Sequence, residues 1–146
     1  ALVAGRQLAK MVDYLVVGES IPGGTTTALG VLTALGYDTK EKVASTFPVN
    51  PHDLKGKVVA EGIAASGIDP GLLRNDAMAA VQAVGDPMMA PAAGLIAGAA
   101  ESSPVLMAGG TQMAAVLGKP QLDAEDFEAG THTIMQLASS ICPVKG

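Results

Sequence analysis

Apolar positions along this chain fall into two periods, and the change from one to the other marks its elements. Over residues 1–12, Leu2, Leu8, Met11 and Val12 recur at helical spacing, so a helix is predicted with these side chains on its apolar stripe. Tyr14-Leu15-Val16-Val17 is a short run rich in β-branched residues that stops at Gly18, which predicts a buried strand. The stretch from Gly18 to Thr25 is too rich in Gly and Pro to be helical. A helix is expected from Thr25 or Thr26 to Leu35, closed by Gly36. A second short strand is expected within residues 43–49. Asn50-Pro51-His52-Asp53 reads as a helix start, since Asn caps, Pro fits the first turn and Asp53 meets the positive end of the dipole. Leu54, Val58, Val59 and Ile63 would form that helix's stripe, and Gly67 its end. Asp69-Pro70 predicts a helix to Gly85, and Asp86-Pro87 another to about Glu101. In the latter, Gly94 and Gly98 leave a flat face for a close neighbour. Pro104-Val105-Leu106-Met107-Ala108 is the second clear strand. It leads through Gly109-Gly110-Thr111 into a helix carrying Met113, Val116 and Leu117, and residues 131–141 read as one more helix. Two strand, glycine-turn, helix units predict an α/β fold with a mainly parallel sheet.

Composition narrows the setting. A chain of 146 residues can bury a core without disulfides, and its single cysteine, Cys142, excludes an internal one. Flanked by Ile141 and Pro143, that cysteine reads as a packed thiol. Fourteen acidic residues against nine basic give a net charge of -5, which argues against a nucleic-acid or anionic-membrane surface. Apolar residues at 49% exclude disorder. The longest weakly polar stretch, Ala77 to Ala100, is broken by Gln82, Gly85, Asp86, Pro87 and Pro91, so no membrane span is expected. The start, Ala-Leu-Val-Ala-Gly-Arg, lacks both an initiator Met and the plan of a signal peptide. A cytoplasmic protein is expected, cut from something longer. His52 and His132 have no acidic or cysteine partner at ligand spacing, so neither a metal nor another cofactor is expected.

The candidate chemistry lies in a rough repeat. Gly23-Gly24-Thr25-Thr26-Thr27-Ala28 and Gly109-Gly110-Thr111-Gln112-Met113-Ala114 share Gly-Gly-Thr and a later Ala, each between a strand and a helix. Without a Cβ, paired glycines let backbone amides approach a ligand, and the helix start adds free N–H donors with partial positive charge. Such turns hold a phosphate or carboxylate without Lys or Arg; equally, glycine there serves only to reverse the chain. Neither turn is a P-loop or a Gly-x-Gly-x-x-Gly fingerprint. Glu19, the one charged side chain of the first loop, suits ribose hydroxyls or a ring-nitrogen proton, or else caps neighbouring amides. Asp86 fits a helix N-cap. The methionines, Met88, Met89 and Met113 among them, fit a core or the floor of a pocket for a flat heterocycle.

Four segments, Gly18 to Leu29, Asn50 to Lys55, Val84 to Met89 and Pro104 to Met113, occur in an order that resembles the nicotinate-nucleotide–dimethylbenzimidazole phosphoribosyltransferase family, most nearly its archaeal-type branch. The resemblance covers residues 1–118, a nucleotide-binding core, and leaves 119–146 unmatched. It implies a three-layer, Rossmann-like α/β fold, a homodimer and a reaction of cobalamin assembly. A benzimidazole-like base takes phosphoribose from nicotinate mononucleotide and nicotinate leaves. By the same resemblance, Gly18, Gly23, Gly24, Thr25, Thr26, Gly85, Asp86, Gly109, Gly110 and Thr111 hold phosphate and ribose. Glu19 is the catalytic candidate, and Met88, Met89, Gln112 and Met113 form the base pocket. The family's principal catalytic carboxylate, in a glycine-rich motif near the end of a much longer chain, has no counterpart here, and the family's amino-terminal half is absent too. A nucleotide-binding module without turnover, or a structural domain, are the alternatives.

Overall fold

A computed structural model describes residues 1–39, 43, 51–69, 71–74 and 76–117. The expected strand within 43–49 (apart from Val43), the Asn50 cap, the helix at 131–141, His132 and Cys142 lie outside them. The elements run α1 (Leu2–Ala9), β1 (Leu15–Gly18), α2 (Gly24–Ala34), α3 (His52–Ser66), α4 (Ala77–Val84), α5 (Met89–Ala100), β2 (Val105–Ala108) and α6 (Thr111–Leu117). The fold mixes helices with strands, and the two described strands form one parallel pair. Among the described residues no helix is long and apolar enough to cross a membrane.

Register in the pair is set at its entrance. Leu15 N–H donates to the Pro104 carbonyl at 2.9 Å, and the buried Ser103 hydroxyl donates to the Asp13 carbonyl at 3.2 Å. Leu15 then sits opposite Val105 and Gly18 opposite Ala108, so both glycine turns leave the same edge. Val17 and Met107 face a core made chiefly by α2, α4, α5 and α6, whose largest fully buried side chains are Val31, Leu35, Met89 and Met113. Burying such a side chain stabilises the fold by roughly 1.5–3 kcal/mol each.

Three expectations need correction. In α1 the large apolar residues Leu2 and Leu8, and Met11 and Val12 beyond its end, are exposed, while Gly5 and Ala9 are buried. The reason is the glycine face of α5. A Cβ on Gly98 would collide with the Leu2 carbonyl oxygen, and one on Gly5 with the Leu95 carbonyl oxygen, so the two backbones meet directly. In α3, Leu54 and Val58 are exposed, whereas Val59 and Ile63 pack with Leu29, and Lys55 is buried between them in sequence. Finally, α4 begins at Ala77, not at Pro70. Residues 71–74 form a turn tied to α2 by Gly71 N–H bonding the Ala34 carbonyl, and Asp76 supplies the cap by accepting from Ala79 N–H at 2.9 Å.

Candidate functional site

The first glycine turn is shaped by its backbone. Gly23 is the N-cap of α2 with φ of 72°, a left-handed conformation that glycine adopts without penalty. No side chain caps this helix. Gly24 N–H bonds the Ile21 carbonyl at 3.1 Å and Thr26 N–H the Gly23 carbonyl at 2.8 Å, while the Thr25 amide makes no bond to another described residue. A free donor at the positive end of an 11-residue helix favours an anion.

A cleft of about 700 Å³ opens in front of this helix start. Its near wall is the loop from Glu19 to Thr26; its far wall is the first turns of α3, with Leu54, Lys55 and Val58. The exposed Leu54 and Val58 thus face a hollow instead of a core. Lys55 is only 6% exposed, and the loss of hydration lowers its pKa. It lines the same cleft as Thr25, and sequence spacing gives no sign of this because the loop and α3 are far apart along the chain.

The second turn reaches the cleft through Gln112 alone. The two turns nonetheless interlock. The carboxamide of Gln112 lies over Gly24, in the space a Cβ would take, and the Glu19 carboxylate lies over Gly109, its Oε1 3.1 Å from where that Cβ would be. Gly24 is therefore covered by a polar side chain from the other strand-turn-helix unit, while Gly109 is covered by Met113 of the helix that follows it, with Glu19 alongside.

Behind the cleft, Asp86 is half-buried and multiply held. Its Oδ2 accepts from the Thr27 hydroxyl at 2.7 Å and its Oδ1 from Met88 N–H at 3.0 Å. It anchors the turn into α5 from two residues ahead of the N-cap, which is Met88. The surroundings of Glu19 raise its pKa from the ordinary carboxylate value. Desolvation is the main cause and repulsion from Asp86 adds to it, while the Ile21 amide, donating to Glu19, acts the other way.

The predicted site residues accordingly divide. Glu19, Gly23, Gly24, Thr25, Thr26 and Gln112 line the cleft. Gly18 ends β1, Gly85 closes α4 and Asp86 stands behind, while Gly109, Gly110 and the buried Thr111 form the adjoining turn without lining the cleft. Met89 and Met113, each 1% exposed, fill the core, and Met88 packs beside them. Gln112 thus stands apart from the methionines grouped with it.

Comparison with known proteins adds a name at this point. No family model matches the chain. It is 52% identical over 131 residues to a UPF0284 protein of Methanopyrus kandleri, covering 87% of this chain and 34% of that protein. It is 50% identical over 127 residues to one from Methanothermobacter thermautotrophicus, covering 87% and 35%. A third, from Sulfolobus acidocaldarius, is 48% identical over 115 residues, covering 79% and 31%. The chain is similar to archaeal UPF0284 proteins. It spans about a third of the length of these relatives.

Proposed function

We propose that this chain is the nucleotide-binding core of a phosphoribosyltransferase that moves phosphoribose from nicotinate mononucleotide to a benzimidazole-like base in cobalamin lower-ligand synthesis. The observation that carries the reading is the cleft itself: an uncapped helix start, a glycine pair and a buried lysine line one hollow, which suits a sugar-borne phosphate. The three-layer Rossmann-like architecture, the homodimer and the cytoplasmic location belong to the same proposal.

The chemistry asks little of acid–base groups. The acceptor nitrogen forms a bond to the anomeric carbon as the bond to nicotinate breaks. Its electron pair passes to the pyridinium nitrogen, so nicotinate leaves without being protonated. Positive charge grows on the ribose and is stabilised by a nearby carboxylate, for which Glu19 is the candidate. A carboxylate with a raised pKa is also the better acceptor for the proton that the benzimidazole must shed. Orientation of the two flat rings supplies much of the remaining rate.

The test is to mix the protein with nicotinate mononucleotide and dimethylbenzimidazole and follow free nicotinate. Release that depends on both substrates, and falls at least tenfold in Glu19→Gln, is expected. The second reading is a binding module that holds the nucleotide without turnover. Calorimetric binding of the mononucleotide with no nicotinate released would select it.

A further inference from the structure

Gln112 is the polar side chain of the cleft that the fold leaves unexplained. It is 6% exposed, it lines the cleft, and its Nε2 is buried with no hydrogen-bond partner among the described residues. An amide N–H removed from water without an acceptor is unfavourable, and folded proteins contain few of them. The absence of a side chain on Gly24 leaves room for the carboxamide beside the start of α2. Its neighbour there is the Thr25 amide, which makes no bond to another described residue. Two donors of one kind, neither with a partner among the described residues, therefore line one cleft together with Lys55.

We propose that Gln112 is a ligand-binding residue that reads the phosphate group, donating from Nε2 to a phosphoryl oxygen beside the Thr25 amide. This rests on the reading of the cleft as a sugar-phosphate site and adds to it a side-chain contact from the second glycine turn. The interlocking of the turns then has a use. The Gly109-Gly110 turn brings a donor to the first helix, while Gly24 keeps open the space that donor occupies. A glutamine has both the reach and the neutral donor.

The test titrates nicotinate mononucleotide, and separately its dephosphorylated riboside, into the protein and its variants by calorimetry. Gln112→Met keeps length and volume and removes the donor. It is expected to weaken the mononucleotide about tenfold or more, as for loss of a hydrogen bond to a charged group, and to leave the riboside unchanged. Gln112→Glu sets a carboxylate against the phosphate and is expected to weaken it further. Thermal unfolding without ligand provides the second readout. Because Gln112→Met deletes an unpartnered donor, its midpoint should not fall, whereas a glutamine needed only for packing would lower it. Equal mononucleotide affinity in wild type and Gln112→Met, or an equal loss for the riboside, overturns this assignment while leaving the cleft reading in place. No mononucleotide binding by the wild type overturns the cleft reading, and this assignment with it.

Discussion

The α1–α5 pair and the cleft edge are both built on glycine, and they use it in opposite ways. At Gly5 and Gly98 the space a Cβ would take is filled by backbone of the partner helix. At Gly24 it is filled by the end of a polar side chain, Gln112, and at Gly109 by the Met113 side chain with the Glu19 carboxylate beside it. Backbone cannot step aside, so the first arrangement is a fixed contact. A side-chain end such as that of Gln112 can move, so Gly24 keeps a polar group beside a hollow. Glycine count alone does not separate a backbone contact from the rim of a cleft; what fills the missing side chain's place does.

The largest effect is expected where the contact is fixed. Gly98→Val drives a branched side chain into the Leu2 carbonyl, and should destabilise the protein by about 3 kcal/mol, the upper end for overpacking. Denaturant unfolding measures this. A loss under about 0.5 kcal/mol, the scale of an ordinary surface change, would mean that α1 and α5 are not in direct backbone contact.

A smaller effect is expected at the carboxylates. Glu19 has a raised pKa in the fold, so the stability it contributes is present below the ordinary carboxylate pKa and is lost as pH rises through the raised value. Glu19→Gln should therefore raise stability at neutral pH and flatten its pH dependence across that window. Asp86→Asn removes the repulsion but not the desolvation, and should bring the Glu19 titration part of the way back, as read by carbon NMR. An unmoved Glu19 would show that the two carboxylates do not sense each other.

The smallest effect is expected at Arg6. Its guanidinium bonds both carboxylate oxygens of Glu101 at 2.8 and 2.7 Å across the α1–α5 pair, which holds the Arg6 pKa up and the Glu101 pKa down. Both groups are in water. Arg6→Ala should shift the melting midpoint little, and less still in high salt. A large loss would transfer the anchoring of α1 from the glycine face to the ion pair.

How much of this was legible in the sequence depended on whether the signal was local. β1 shows as a β-branched run ending at Gly18, although its Val16 is exposed rather than buried, β2 as an apolar run ending at a glycine pair, and Gly67 ends α3 in the left-handed conformation. The flat face at Gly94 and Gly98 was visible as spacing, but not which residues of α1 would meet it. Large apolar side chains drew attention to the wrong side, because helix pairs in backbone contact bury small residues. Asp76 was passed over for Asp69-Pro70, since two cap-like residues seven apart cannot be ranked without knowing that Gly71 is tied to α2. Lys55 and the Gln112–Gly24 contact depend on segments distant in the chain, and no local pattern carries them.

The claim on which the account turns is that the start of α2 binds a sugar phosphate. Gly24→Val tests it most directly, because its added carbons fall where the Gln112 carboxamide lies, a side-chain end that can yield without unfolding the protein. Calorimetric titration of nicotinate mononucleotide into wild type and Gly24→Val, with both folded by circular dichroism, should show binding in the first and its loss in the second. Equal affinity in the two would contradict the site.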